Sequence, residues 1–144
     1  MKIADTNLCE LLRLRLRFQL GTDAETLYAL GNSAWAQTFQ ILKDPLGRPV
    51  GYIAWANLNS ESVQRLQQDF RLPKYVYEWN EGKIAVILDV IYNHESRFGL
   101  RALIRDLFPR SRLVVLWRRK HLSIYVRRHQ RYSLASKKLS PTGS

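Results

Sequence analysis

The chain has 144 residues, of which 46% are hydrophobic and 24% charged, which describes one folded domain rather than a disordered chain. No apolar run approaches the roughly 20 residues of a membrane span, and we expect no secretory signal at the N-terminus. The single cysteine, Cys9, excludes an internal disulfide and predicts a cytoplasmic location. One cysteine and three scattered histidines also speak against a structural zinc site.

The net charge of +11 is unevenly distributed along the chain. No acidic residue follows Asp106, whereas basic residues are frequent there. Five of them form two short clusters that we predict to bind a partner: Arg118, Arg119, Lys120, Arg127 and Arg128. Such asymmetry indicates an acidic partner, which could be nucleic acid, an anionic membrane surface or an acidic protein. Charge alone does not choose among them.

The segment from Thr6 to Leu20 carries two periodicities. Its Leu-Arg alternation is typical of a half-buried strand, whereas other leucines recur at helical spacing: Leu8, Leu11, Leu12 and Leu16. Leucine and arginine are good helix formers and the segment has no β-branched residue after Thr6, so we predict a helix. In that helix the arginines would form the solvated side: Arg13, Arg15 and Arg17.

The next elements follow from capping and turn signals. The run 22–25 (Thr-Asp-Ala-Glu) is a capping box, which predicts a second helix to about Asn32. Strands are predicted over 38–43 and 50–56, joined by a turn at 44–47. Asn59 or Ser60 is expected to cap a helix over 61–70.

The second half of the chain predicts a strand over 83–92, which is almost continuously apolar and therefore central in its sheet. A helix over 96–107 and a buried strand over 113–117 follow. The segment 122–128 fits a strand slightly better than a helix. We therefore predict the α/β (α+β) class: one domain over 1–132 with a mixed central sheet flanked by helices, and a basic, flexible tail over 133–144.

Two residues near the end of the central strand are candidates for chemistry. Asp89 lies within the apolar strand, where an ionised carboxylate is costly unless it is paired. It either has a structural role, in which it orients a backbone group or pairs with an arginine, or it serves as a general base or base-orienting group. His94 follows in the loop before the next helix, where it could contact a ligand or cap the helix. The run 97–102 is similar to the pyrophosphate-binding turn of Gcn5-related acetyltransferases, which makes Arg97, Gly99 and Arg101 candidates for donor binding.

Three segments together resemble the toxin-activating lysine acyltransferases, the family that matures bacterial RTX haemolysins. The run 49–58 (Pro-Val-Gly-Tyr-Ile-Ala-Trp-Ala-Asn-Leu) is similar to a family signature. Trp79 and Gly82, with Asp89 seven residues later, have the family's spacing. The stretch from Asp89 to Pro109 also fits without a gap. The resemblance covers about residues 36–109, half of the chain.

The resemblance implies a Gcn5-related fold and the transfer of a fatty acyl group from acyl-acyl-carrier protein to a lysine of a protein. Acyl-coenzyme A is an alternative donor, no bound cofactor is expected, and a small molecule or peptide amine is an alternative acceptor. Acyl-carrier protein is acidic and would suit the basic C-terminal third. Asp89 stands at the position of the family's catalytic aspartate.

The histidine with which the family pairs this aspartate is not present in the corresponding stretch, 18–21 (Phe-Gln-Leu-Gly), and no histidine precedes His94. The leading prediction is a divergent acyltransferase that uses Asp89 with His94 as a relocated base. The alternative is a catalytically inactive member of the family that binds nucleic acid or an acidic protein through the basic clusters. A homodimer is also left open.

Overall fold

The computed structural model describes residues 3–92, 99–109, 111, 113–118, 121–128 and 131–139. Within these residues the chain forms four α-helices: α1 Ile3–Arg17, α2 Ala24–Ala36, α3 Ser60–Asp69 and α4 Gly99–Leu107. It also forms a short 3₁₀ helix, Val76–Trp79. The strands are β1 Phe39–Lys43, β2 Pro49–Leu58, β3 Ile84–Ile91, β4 Leu113–Arg118, β5 His121–Arg128 and β6 Arg131–Leu139.

The strands form one mixed sheet in the order β1-β2-β3-β4-β5-β6. Only β3 and β4 pair in parallel, and α4 connects them as a crossover; the other neighbours are antiparallel. The sheet flanked by helices confirms the predicted class, a single α/β domain with a mixed central sheet.

The cap expected at Asn59 is present, whereas α2 is capped by Asp23, one residue after the Thr22 with which the predicted capping box begins. Asp23 Oδ1 accepts a hydrogen bond from the Thr26 amide (2.8 Å) at the start of α2, and Asn59 Oδ1 does the same for Ser62 (2.8 Å) at the start of α3. Helix α2 continues to Ala36, four residues beyond the predicted end, and ends at Gln37 in the left-handed conformation. The helix predicted for α1 is confirmed.

The two faces of the sheet are covered by different helices. Tyr52, Ala54, Ala56 and Leu58 alternate along β2 toward the face that packs against α1, α2 and α3. The opposite face is covered by α4, through Ile104 and the Phe108 that follows it. Each β3 side chain therefore faces either the α1–α3 side or the α4 side of the sheet.

Several residues of the family-like segments have packing roles. The Trp55 ring meets Phe108 edge to face, with ring centroids 5.1 Å apart, and Trp79 is fully buried. A Cβ at Gly82 would lie 1.8 Å from the Leu58 carbonyl oxygen, so the 79–82 turn approaches β2 as only glycine allows. These residues therefore support the fold directly.

The C-terminal part differs from the prediction. Residues 133–139, expected in a flexible tail, belong to β6, which pairs with β5 from Arg128↔Arg131 to His121↔Leu139. The tail prediction is wrong there because backbone pairing with β5 forms a strand although the segment carries little apolar side-chain area. Residues 140–144 lie outside the described part. No helix in the described part is long and apolar enough to cross a membrane.

Candidate functional site

A β-bulge in β3 determines where Asp89 faces. Ala54 of β2 is opposite Asp89 and the next residue, Trp55, is opposite Ile87, so Leu88 is an extra residue on β3. Strict alternation from Ile87, which packs on the α4 side, would place Asp89 on that side as well. Because of the bulge, Leu88 and Asp89 both face the α1 and α2 side.

On that side, Asp89 joins a network with Arg15 of α1 and Tyr52 of β2. Arg15 Nη1 donates to Asp89 Oδ2 at 2.6 Å and to the Tyr52 hydroxyl oxygen at 3.1 Å. The Tyr52 hydroxyl donates to the same Asp89 Oδ2. Only 9% of the Arg15 side chain and 25% of the Asp89 side chain are exposed. The carboxylate is therefore held by a charged and a neutral donor.

The network shifts the pKa values of both donors. Burial lowers the pKa of Arg15, but the hydrogen bond with Tyr52 and the negative charge of Asp89 outweigh it, so that the pKa is raised overall. Burial and then the charge of Asp89 raise the pKa of Tyr52 well above its ordinary value. The Tyr52 phenol therefore stays protonated at neutral pH and acts as a hydrogen-bond donor to the carboxylate.

Arg15 also holds the loop between α1 and α2. Its Nη2 donates to the Gly21 carbonyl oxygen at 2.6 Å and its Nε donates to Thr22 Oγ1 at 3.1 Å. The stretch 18–21 is thus linked to Asp89 through the Arg15 guanidinium.

A cleft opens between β3 and β4 next to Asp89. The two strands pair from Ala85↔Val114 to Ile87↔Leu116, whereas β3 continues to Ile91 and β4 to Arg118. Beyond that point lies a cavity of about 530 Å³. Its lining includes Phe18, Leu20, Leu88, Asp89, Leu116 and Trp117. Because Leu88 and Leu116 belong to opposite faces of the sheet, the cleft lies between the strands themselves.

The lining of the cleft is mainly apolar with a few polar groups. Among the described residues, two carboxylates lie on its wall, Asp89 and Glu25 in the first turn of α2. A cavity of this volume, apolar with few polar groups, is typical of a site for a small molecule or a cofactor arm. Among the described residues, no three His, Cys, Asp or Glu side chains gather as metal ligands.

The other predicted chemical residues are located less fully. His94 and Arg97 lie outside the described residues. Gly99 and Arg101 lie in the first turn of α4, which follows the end of β3, and the Arg101 side chain is outside the described part. The structure therefore brings Asp89 into a cleft but does not test His94 or the donor-binding turn.

The described residues of the two basic clusters lie at opposite ends of the sheet. Arg118 ends β4 and is opposite His121, whereas Arg127 and Arg128 end β5. An eight-residue strand is roughly 23 Å long, so the backbone at Arg118 is well separated from that at Arg127 and Arg128. Because β3 and β4 are parallel, Arg118 lies at the end of the sheet where the cleft opens. Arg119 and Lys120 are outside the described residues.

Arg15 and Tyr52 are the site residues that the sequence interpretation missed. Arg15 was expected on the solvated side of α1, and that prediction is wrong because the buried stripe consists of Leu11, Leu14 and Arg15, while Leu16 is 77% exposed. Arg15 follows Leu11 by four positions, which places both on one face of a helix. That spacing was a usable signal. Tyr52 was noted only as part of the run 49–58 within an apolar strand, without a role in the site.

The chain matches no protein-family model and no curated protein, so the family resemblance rests on the residues quoted above.

Proposed function

We propose that this protein is a divergent acyltransferase of the toxin-activating type, which moves a fatty acyl group from acyl-acyl-carrier protein to an amine. The observation that carries the proposal is the cleft between β3 and β4 with Asp89 on its wall. The acyl chain and pantetheine arm of the donor are thin, flexible and uncharged near the thioester. A mainly apolar cleft that opens between two strands suits such a ligand.

Asp89 is suited to orient the attacking amine. Arg15 and Tyr52 both bind Oδ2, so the carboxylate has a fixed orientation, and neither contact uses Oδ1. An amine N–H can donate to Oδ1 while its nitrogen attacks the thioester carbonyl carbon. The C–N bond forms, the C–S bond breaks, and the negative charge of Asp89 stabilises the positive charge that develops on the nitrogen. The amine proton leaves to solvent or to His94, and the thiolate of the carrier takes up a proton.

The ion pair with Arg15 explains how the site could work without the family histidine. Arg15 Nη1 lies 2.6 Å from Asp89 Oδ2 and the Tyr52 hydroxyl binds the same oxygen, so the carboxylate is held in one position and Oδ1 is the oxygen proposed to accept from the amine. Its role in the proposal is therefore to bind and orient the amine. The basic end of the sheet at Arg118 offers a surface for an acidic donor protein.

Asp89→Asn is the variant that tests the proposal. The purified variant is incubated with radiolabelled palmitoyl-acyl-carrier protein and lysine-containing peptides, and transfer to the peptide is measured. Asparagine keeps the shape and removes the charge, so we expect transfer to fall by about 100-fold or more. Asp106→Asn is the matched control, because this α4 carboxylate is 69% exposed; it should keep wild-type transfer.

Three further outcomes are informative. Asp89→Asn with the same transfer as Asp106→Asn would contradict the assigned role of Asp89. Wild-type protein that transfers no acyl group from acyl-carrier protein or acyl-coenzyme A would contradict the proposal itself. A lower transfer rate in His94→Ala than in wild type would support His94 as the group that takes the amine proton.

The inactive binding module is the second candidate, and the ion pair between Arg15 and Asp89 also favours it, because a carboxylate paired with a buried arginine is a common structural element. This candidate predicts no acyl transfer and salt-sensitive binding to an oligonucleotide or an acidic protein. The two basic clusters would then act separately. Charge reversal at Arg127 and Arg128 would weaken that binding without affecting the cleft.

A further inference from the structure

A second concave surface, apart from the cleft at Asp89, lies between α1 and the edge strand β1. It is a groove of about 410 Å³, and its lining includes six residues of these two elements: Glu10, Arg13, Leu14, Arg17, Ile41 and Lys43. None of them lines the cleft. Positions 10, 13, 14 and 17 recur at helical spacing, so the groove follows one face of α1. A ligand in this groove would contact a helix and a sheet edge together.

The edge strand leaves backbone groups for another strand. β1 is the first strand in the sheet order, and among the described strands it pairs only with β2. The Trp55 amide donates to the Thr38 carbonyl oxygen at 2.9 Å, which makes this a hydrogen-bonded position of the ladder. Because such positions alternate, Phe39 and Ile41 point their N–H and C=O groups away from β2. No other backbone partner for these four groups occurs within the described part of the chain. The edge thus offers two donors and two acceptors.

The groove is mainly cationic above an apolar floor. Leu14 and Ile41 belong to the hydrophobic cluster beneath α1. Three exposed basic side chains line the groove: Arg13, Arg17 and Lys43. Glu10 is the one carboxylate among the lining residues that the structure describes, and Asp44, next along the chain, is already bound by Arg48 at 2.8 Å. These charges favour an acidic ligand.

We propose that this groove binds an extended acidic peptide segment of a partner protein, which pairs with β1 as a seventh strand of the sheet. A peptide backbone supplies N–H and C=O groups at strand spacing, so it can pair with Phe39 and Ile41 together while every second side chain faces the groove. Carboxylates at those positions would meet Arg13, Arg17 and Lys43. This site goes beyond the proposed function and does not depend on it.

Two other occupants suit the groove less well. The phosphate backbone of DNA carries acceptors, so it would leave the outward carbonyl oxygens of Phe39 and Ile41 unpaired. A second copy of the chain that paired through β1 would bring two sets of groove cations toward each other. The experiment distinguishes both from a peptide.

The probe is the peptide acetyl-Glu-Val-Glu-Val-Glu-Val-amide, titrated into the ¹⁵N-labelled full chain and followed by NMR. We expect the Phe39 and Ile41 amide signals to move downfield and their hydrogen exchange to slow, because both amides become donors to the added strand. The same peptide with lysine in place of glutamate is the control and should bind about tenfold more weakly.

Charge reversal locates the site. Arg13→Glu combined with Lys43→Glu should weaken binding of the acidic peptide by roughly tenfold. Arg65→Glu combined with Arg71→Glu changes the net charge equally at two exposed residues outside the groove, and it should bind the peptide within about twofold of wild type. Equal weakening in the two double variants would overturn the inference, because binding would then follow net charge alone.

The amide signals of wild-type protein keep the test independent of how the variants fold. Peptide at millimolar concentration that leaves the Phe39 and Ile41 amides unchanged would overturn the inference, as would a lysine peptide that binds equally well. Slow exchange at both amides in the free protein, increasing with protein concentration, would assign the edge to a second copy instead. An oligothymidylate that moves both signals would assign it to nucleic acid. Each of these results leaves acyl transfer at Asp89 to be decided by its own experiment.

Discussion

The two sides of strand β3 are built differently. On one side, β2 pairs with it along almost its whole length, from Leu58↔Ile84 to Tyr52↔Ile91, with a bulge at Leu88. On the other side, the pairing with β4 stops at Ile87↔Leu116. We call the edge of β3 that pairs with β2 the closed side and the edge that faces β4 the open side. On the closed side, Arg15 and Tyr52 hold Asp89 in place, and on the open side the cleft leaves room for a ligand. A preorganised site requires both a fixed polar group and space for a ligand next to it.

Arg15→Leu should have the largest effect on the closed side. It would leave the Asp89 carboxylate without its charged partner and would release the loop at Gly21 and Thr22. We expect the free energy of unfolding, measured in urea, to fall by about 3 kcal/mol, at the lower end of the range for breaking a buried ion pair because Asp89 keeps some contact with water.

Arg13→Leu is the control for this experiment. Arg13 belongs to the same helix and its side chain is exposed, so its replacement should change stability by less than about 0.5 kcal/mol. Equal losses in the two variants would show that Arg15 is a surface residue in solution. Asp89 would then lack the arginine contact that holds it on the closed side of β3.

Gly51→Ala should have the next largest effect, because it disturbs the contact between β2 and the end of β3. A Cβ at this position would lie 2.1 Å from the Ile91 carbonyl oxygen, so the backbone of one strand must move. We expect a loss of about 2 kcal/mol in the free energy of unfolding.

Gly31→Ala is the control, and we expect it to raise rather than lower the free energy of unfolding. Gly31 lies in α2 and a Cβ there meets nothing within 4 Å, so alanine should stabilise the helix by up to about 1 kcal/mol. If Gly51→Ala were also neutral or stabilising, the two strands would not be held as closely as the closed side requires.

The sequence predicted the elements well where local signals are strong. The start of α2, the cap at Asn59 and the apolar run of β3 depend on neighbouring residues, and all three are confirmed, although α2 is capped by Asp23 rather than by Thr22 of the predicted capping box. The strand β6 was missed because its side chains carry no apolar pattern and its order comes from pairing with β5. Pairing of that kind is a property of the whole sheet and leaves little trace in a local pattern.

The site was predictable only in part. Asp89 stood out as a carboxylate within an apolar strand, and its pairing with an arginine was one of the two interpretations. Its partner, Arg15, was not predictable, because the bulge at Leu88 reverses the side of the sheet that Asp89 faces. The cleft depends on where the pairing between β3 and β4 ends, which no residue pattern indicates. The role of His94 stays a prediction.

Tyr52→Phe should have the smallest effect on the closed side at neutral pH, about 1 kcal/mol for the lost hydrogen bond to Asp89. Its effect should depend on pH in a defined direction. The pKa of Tyr52 is raised in the folded protein, so above about pH 10 the unfolded chain loses this proton while the folded protein keeps it. Deprotonation therefore favours the unfolded state, and the stability advantage of the wild type over Tyr52→Phe should fall by about 1.4 kcal/mol per pH unit.

Urea unfolding at pH 8, 10 and 11 measures this difference, with Tyr75→Phe to correct for the removal of one exposed phenol. A difference that stays constant from pH 8 to pH 11 would mean that Tyr52 is not held as a protonated donor, and the carboxylate would then depend on Arg15 alone.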